Sequence, residues 1–157
     1  MAGQLAGWER WTVPLSLLVS FAANDGEELR TMASTQAATV DRLPGWWPLS
    51  GRLREVDQTH VTVAVTSMGL LYAVAAFDGV RSRGRSPLYQ DVQWVFGVHG
   101  LGHLAAAALT RGYVTGVLTC PTVVLPQWWW VSHRLRSAGV ERTVRPARAA
   151  ARSSAHR

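Results

Sequence analysis

Lysine is absent from this 157-residue chain; all 16 basic residues are arginine. That one-sided choice fits GC-rich coding, so the arginines are not read singly as phosphate ligands. Cysteine occurs once, as Cys120, so no intrachain disulfide can form and secretion gains no support. Charge is scarce as well. Charged residues make up 17% of the chain, against about 25% in average soluble domains. Hydrophobic residues make up 48%, and the balance leans toward a membrane protein. No internal repeat is visible, and the length suits one domain.

The net charge of +6 raises the question of nucleic acid. Its distribution argues against that partner. Seven of the 16 arginines lie at or after Arg134, in a tail without aromatic or periodic pattern. Such a tail suits contact with anionic lipid heads. Membrane lipids are therefore the expected partners, and nucleic acid is not.

Four apolar windows stand out, at residues 12–32, 60–77, 87–110 and 113–133. Each approaches the roughly 20 residues that cross a hydrocarbon core about 30 Å thick. The pattern predicts an all-α polytopic membrane helix bundle of about four transmembrane helices over residues 1–136. A disordered basic tail is expected over 137–157. With four spans, the N-terminus, the 79–86 connection and the tail share one side. That side holds eleven arginines and the other holds five. The positive-inside rule then places both termini in the cytoplasm and the protein in the inner (plasma) membrane. Seven of eight tryptophans (Trp8, Trp11, Trp46, Trp47, Trp128, Trp129, Trp130) fall near the expected interfaces, as an aromatic belt requires. A cleaved signal peptide is the rival reading of the first window, since Ser20 and Ala22 have suitable spacing. Glu9 beside Arg10 leaves its n-region without net charge, so the first span is expected to be kept.

One stretch breaks the apolar pattern. "NDGEE" places Asn24, Asp25, Glu27 and Glu28 inside the first window. Asn24 lies three and four positions before Glu27 and Glu28, so these three are expected on one helix face, with Asp25 pointing elsewhere. The third window carries "HGLGH", with His99 and His103 four apart on one face. At 1.5 Å per residue, Glu27 and His103 lie at similar depth, roughly 23 Å from the inner ends of their spans. Gly97, Gly100 and Gly102 would admit a neighbouring helix close to the histidines. A carboxylate at a span centre costs roughly 2.5–3.5 kcal/mol on insertion scales. Groups at that cost are expected to face a bundle interior or cavity.

Three chemistries suit Asn24, Glu27, Glu28, His99 and His103. Glu27 or Glu28 could pair with His99 or His103, or with Arg30. The set could ligate zinc, iron or manganese, with Asn24 contributing its amide oxygen. Glu27, Glu28, His99 and His103 could act as acid/base groups. Elsewhere, His60 and His133 are read as interfacial. Asp78 and Asp91 are read as ion-pair partners of the Arg-rich connection, and Cys120-Pro121 as a small residue before a kink.

These residues resemble the motifs of the HXXEE-domain family of small bacterial membrane proteins. That family carries His-x-x-Glu-Glu in an early span, a later histidine, and Tyr-x-Pro-Gly. Here Asn24 stands in place of the first histidine, His99 or His103 supplies the later one, and "YVTG" (Tyr113 to Gly116) has Thr115 in place of proline. The resemblance covers about residues 12–133 and implies a membrane bundle with a shared polar site, without naming a reaction. CAAX-type membrane proteases also use a Glu-Glu pair, but expect Arg where this chain has Met32.

Two functions are compatible with this reading. One is a membrane-embedded enzyme acting on a lipid-soluble small-molecule substrate through the Glu/His site. The other is a non-catalytic membrane protein, a transporter component or assembly partner, in which a buried Glu–His pair sets helix packing.

Overall fold

A computed structural model describes residues 3–42 and 56–142. Trp46, Trp47, Arg52, Arg54 and residues 143–157 of the expected tail lie outside the described residues. Among the described residues the chain is all α, with no strand. The helices are α1 (Glu9–Asp41), α2 (Gln58–Ser82), α3 (Pro87–Thr110) and α4 (Leu125–Ser137). A π-helical turn, Cys120–Val124, leads into α4.

Local chemistry sets the helix ends. Asp57 caps α2, accepting from the His60 N–H at 2.9 Å and facing its ring Nδ1 at 2.8 Å. These partners hold the Asp57 carboxyl below its ordinary range. α2 stops where Arg83 and Gly84 take positive φ (55° and 84°), and the Gly84 N–H returns to the Gly79 carbonyl at 2.8 Å. Ser86 then caps α3, accepting from the Tyr89 N–H, with Pro87 at the first helical position. Asp78 was expected to pair with the arginines of this connection; its carboxylate accepts the Ser86 hydroxyl, which closes the turn. The kink expected at Cys120-Pro121 takes the form of the π turn, in which the Leu125 N–H reaches back five residues to the Cys120 carbonyl.

The helices alternate in direction. α1 and α2 meet as an antiparallel pair, with Pro14 against Gly79, Phe21 against Gly69, and Gln58 Nε2 donating to the Leu29 carbonyl at 3.1 Å. α3 runs parallel to α1, from the Tyr89 hydroxyl on the Val13 carbonyl (3.3 Å) to the histidines beside Glu28. α4 returns antiparallel to both, with Gln127 bonding Ser16 and Gln93 near mid-length and Arg134 pairing with Glu9 at the end. The N-terminal segment, the 83–86 turn and residues 138–142 consequently meet at one end, where Leu5 N–H bonds the Arg83 carbonyl and Gly3 N–H the Gly139 carbonyl.

Two of the three glycines expected to admit a neighbour do so. A Cβ at Gly97 would run into the Trp128 indole, and one at Gly100 would lie 2.9 Å from Val124. Gly102 has nothing within 4 Å of that position. The core centres on Leu17, Tyr72, Tyr89, Phe96 and Val124, with Tyr72 and Phe96 edge to face at 5.3 Å.

Helix lengths refine the four windows. α1 continues nine residues past the first window, to Asp41. Of the fourth window, residues 115–118 form turns before the π segment begins. α2 and α3 are each long and apolar enough to cross a membrane. Only 22% and 28% of their most apolar stretches are buried, whereas the core helix of a soluble protein would be mostly covered. Val63, Leu70, Val74 and Phe77 of α2 each leave more than half their surface exposed.

Candidate functional site

The "NDGEE" stretch forms the middle of α1, where it meets α3 on one side and the 113–120 segment on the other. A helix turns about 100° per residue, so neighbouring glutamates must diverge. Glu28 turns to α3. Its Oε1 lies 3.1 Å from His103 Nε2 and 3.4 Å from His99 Nε2, and the two Nε2 atoms are 2.8 Å apart. The four-residue spacing of the histidines brings both rings to one face, T-shaped at 84°.

Glu27 does not join this cluster. Its Oε1 accepts the Tyr113 hydroxyl at 2.6 Å, and its Oε2 accepts the Thr119 N–H at 3.0 Å and hydroxyl at 2.7 Å. The Leu118 N–H adds a longer contact to Oε1 at 3.4 Å. The carboxylate thus satisfies backbone donors at the entry to the π turn and α4, where a helix N-terminus favours negative charge. The expectation that Asn24, Glu27 and Glu28 share one face therefore needs correction. Positions three and four after Asn24 fall on opposite sides of it, and only Glu28 reaches the histidines.

Asn24 joins the two halves. It is fully buried; its Nδ2 donates to Glu28 Oε1 at 3.2 Å, and its Oδ1 accepts from the Thr119 hydroxyl at 3.1 Å. The Cys120 thiol also points to Oδ1, at 3.6 Å.

Asp25 was expected to point away. It is instead 8% exposed and lines the same cavity as Glu28 and His99. Spacing could have shown this: Asp25 and Glu28 are three apart, which places them on one face. The cavity, about 160 Å³, lies between α1, α2 and α3. Apart from these three polar residues its walls are apolar, among them Phe21, Val61, Met68, Tyr72 and Phe96.

The other described histidines lie elsewhere. His60 sits on the Asp57 cap, and His133 stacks on Trp129 with centroids 5.8 Å apart.

The donor set fits a divalent cation. Glu28 Oε1 and the two Nε2 atoms converge within 2.8–3.4 Å of one another, and each imidazole nitrogen can present a lone pair there. Glu28, His99 and His103 would hold such a cation through these three atoms. Two imidazoles and one carboxylate suit zinc, iron or manganese. A supporting contact of the kind that orients metal ligands is in place, from the Asn24 amide to Glu28. Burial is uneven. The Glu28 and His103 side chains are 8% and 11% exposed, and that of His99 is 45% exposed.

A family model described as a protein of unknown function with HXXEE motif matches residues 15–131. The chain belongs to the HXXEE family. No curated protein and no solved structure matches it. In this HXXEE protein the motif's histidine position is Asn24, which touches Glu28 through its amide instead of offering an imidazole. The Tyr113–Gly116 stretch folds onto the same site. Tyr113 anchors Glu27, and Gly116 packs where a Cβ would lie 3.1 Å from His103 Nδ1 and 3.3 Å from Glu28 Oε1. Its φ of +77° also favours glycine. Thr115, in place of proline, exchanges a 2.8 Å hydroxyl contact with Thr31.

Proposed function

We propose that this HXXEE protein is a membrane-embedded enzyme that acts on a lipid-soluble small molecule, with Glu28, His99 and His103 holding a divalent cation. One observation carries the reading: Glu28, His99 and His103 bring three donor atoms together, and two of the three, Glu28 and His99, line an apolar cavity. The apolar walls suit the hydrocarbon part of a substrate, and its polar group would lie toward the donors. A bound cation would polarise that group or a water molecule.

The chain's own residues divide the remaining work. Asp25 is the second carboxylate on the cavity wall and suits a proton acceptor beside the site. Asn24 orients Glu28. Glu27 holds the 113–119 segment that carries Gly116 against His103.

Four spans with both termini in the cytoplasm complete the proposal. The exposed apolar faces of α2 and α3 support insertion. The arginine asymmetry supports the orientation. The competing reading is a structural Glu–His tie without chemistry. It is less well supported, because such a tie would be sealed and His99 is half open.

The test is metal content of protein extracted from membranes without chelator. We expect close to one zinc, iron or manganese ion per chain, lost in His103→Ala and Glu28→Gln while helical circular dichroism persists. Wild-type protein that neither carries nor takes up any of these ions would sink the metal reading. If in addition Glu28→Gln lowered thermal stability alone, the structural tie would stand.

A further inference from the structure

A second cavity lies at the other end of the helices from the Glu28 cluster. It measures about 290 Å³ and opens between α3, α4 and the segment that follows α4. Trp94, Trp128, Leu135 and Val140 give it apolar walls. Arg136 and Arg142 give it two guanidinium groups from different elements. Arg136 belongs to the last turn of α4, and Arg142 follows the turn at Gly139.

The Arg142 segment is tied down. The Val140 N–H bonds the Leu135 carbonyl at 2.9 Å, and the Gln90 amide donates to the Glu141 carbonyl at 3.3 Å. Val140 is 6% exposed, although sequence placed it in the tail. The Arg142 guanidinium then lies 4.8 Å above the Trp94 ring. Arg134 differs from both, since it pairs with Glu9 and faces Trp8. Among the described residues no carboxylate pairs with Arg136 or Arg142.

The fold therefore brings two cations to one apolar pocket, at the end that also carries Arg81, Arg83 and Arg85. Like charges held together beside apolar walls call for an anion with an apolar body. Guanidinium groups match phosphate oxygens in a planar, bidentate way. Basic pockets between helices on the cytoplasmic side suit anionic lipid heads.

We propose that this pocket binds the phosphate of an anionic phospholipid, with Arg136 and Arg142 on the phosphate and the acyl chain against Trp94 and Trp128. The inference rests on the membrane placement proposed above and not on the chemistry at Glu28.

The test is native mass spectrometry of the full chain from neutral detergent, titrated with phosphatidylglycerol or phosphatidylcholine. Wild-type protein should retain one phosphatidylglycerol with a preference on the order of tenfold. Arg136→Gln/Arg142→Gln should bring the two lipids to parity. Arg111→Gln, at the far end, should keep the preference. Metal content at the Glu28 site should be unchanged in the double variant, which separates failure here from failure of the reading above. Equal retention of both lipids by wild type, or an undiminished preference in a folded double variant, would overturn the site. Millimolar inorganic phosphate that displaced the lipid completely would show that the pocket takes free phosphate instead.

Discussion

Asn24 occupies the position where the family motif has histidine, and it already touches the cluster. Its amide lies 3.2 Å from Glu28 Oε1. If Glu28, His99 and His103 hold a cation as proposed, an imidazole there would offer it a further nitrogen, so Asn24→His should tighten metal binding, measured as a lower dissociation constant in competition with a chelating dye. Unchanged or weaker affinity would mean that position 24 only orients Glu28. Gly116 tests the opposite wall. Alanine there would crowd His103 and Glu28 and strain a backbone at +77°. Gly116→Ala should weaken metal binding at least tenfold, in line with the 10–100-fold typical of supporting contacts, while Gly26→Ala, which meets nothing within 4 Å, should leave it intact. Much of this site was legible in the sequence: buried carboxylates are costly, and histidines four apart must share a face. The divergence of Glu27 and Glu28 also follows from helix geometry, but the partner that Glu27 meets in Thr119 was not legible. It depends on which side of α1 the Thr119 backbone approaches, and that is set by the π turn far along the chain.

Between elements, polar side chains hold the helices in register. Gln93 and Gln127 exchange amide hydrogen bonds at 2.9 and 3.1 Å, and Gln127 also donates to the Ser16 hydroxyl at 2.9 Å. Three helices meet in this network. Gln127→Leu would leave the Gln93 amide without its partner and should cost about 1–2 kcal/mol, measured by denaturant titration in mixed micelles. Gly97→Ala would force the Trp128 indole to move and should cost about 1–3 kcal/mol. No loss in either variant would mean that α4 packs less closely than described. At this scale the sequence was read well where apolar runs are continuous: the third window coincides with α3 at both ends. It was read less well where helices outrun their apolar stretch. α1 continues through Ser, Thr and Gln residues to Asp41, because a helix once formed extends readily through residues that neither break it nor need burial. The fourth apolar window does not begin as helix, since Gly116 and the Glu27 carboxylate impose a turn first.

Taken whole, the molecule is polar in two senses. One end gathers the N-terminal segment, the 83–86 turn and the segment after α4, with Arg81, Arg83, Arg85, Arg134 and Arg136. The Glu28 cluster lies toward the other end, since His99 and His103 are 12 and 16 residues into α3, roughly 18 and 24 Å at 1.5 Å per residue. If positive charge sets orientation, the arginine end faces the cytoplasm and the cluster lies in the outer half of the bilayer. The protein offers a clean way to ask. Its only cysteine, Cys120, is fully buried, so in a Cys120→Ser background a single new thiol reports its own side. Arg85→Cys lies in the exposed turn between α2 and α3, and Thr59→Cys lies in the exposed first turn of α2. In intact cells a membrane-impermeant maleimide should label Thr59→Cys and leave Arg85→Cys unmodified until the membrane is opened. The reverse pattern would invert the orientation and place the Glu28–His99–His103 cluster toward the cytoplasm. Equal labelling of both thiols before lysis would mean that α2 does not cross the membrane, and the exposed apolar face of that helix would then need a protein partner in place of lipid.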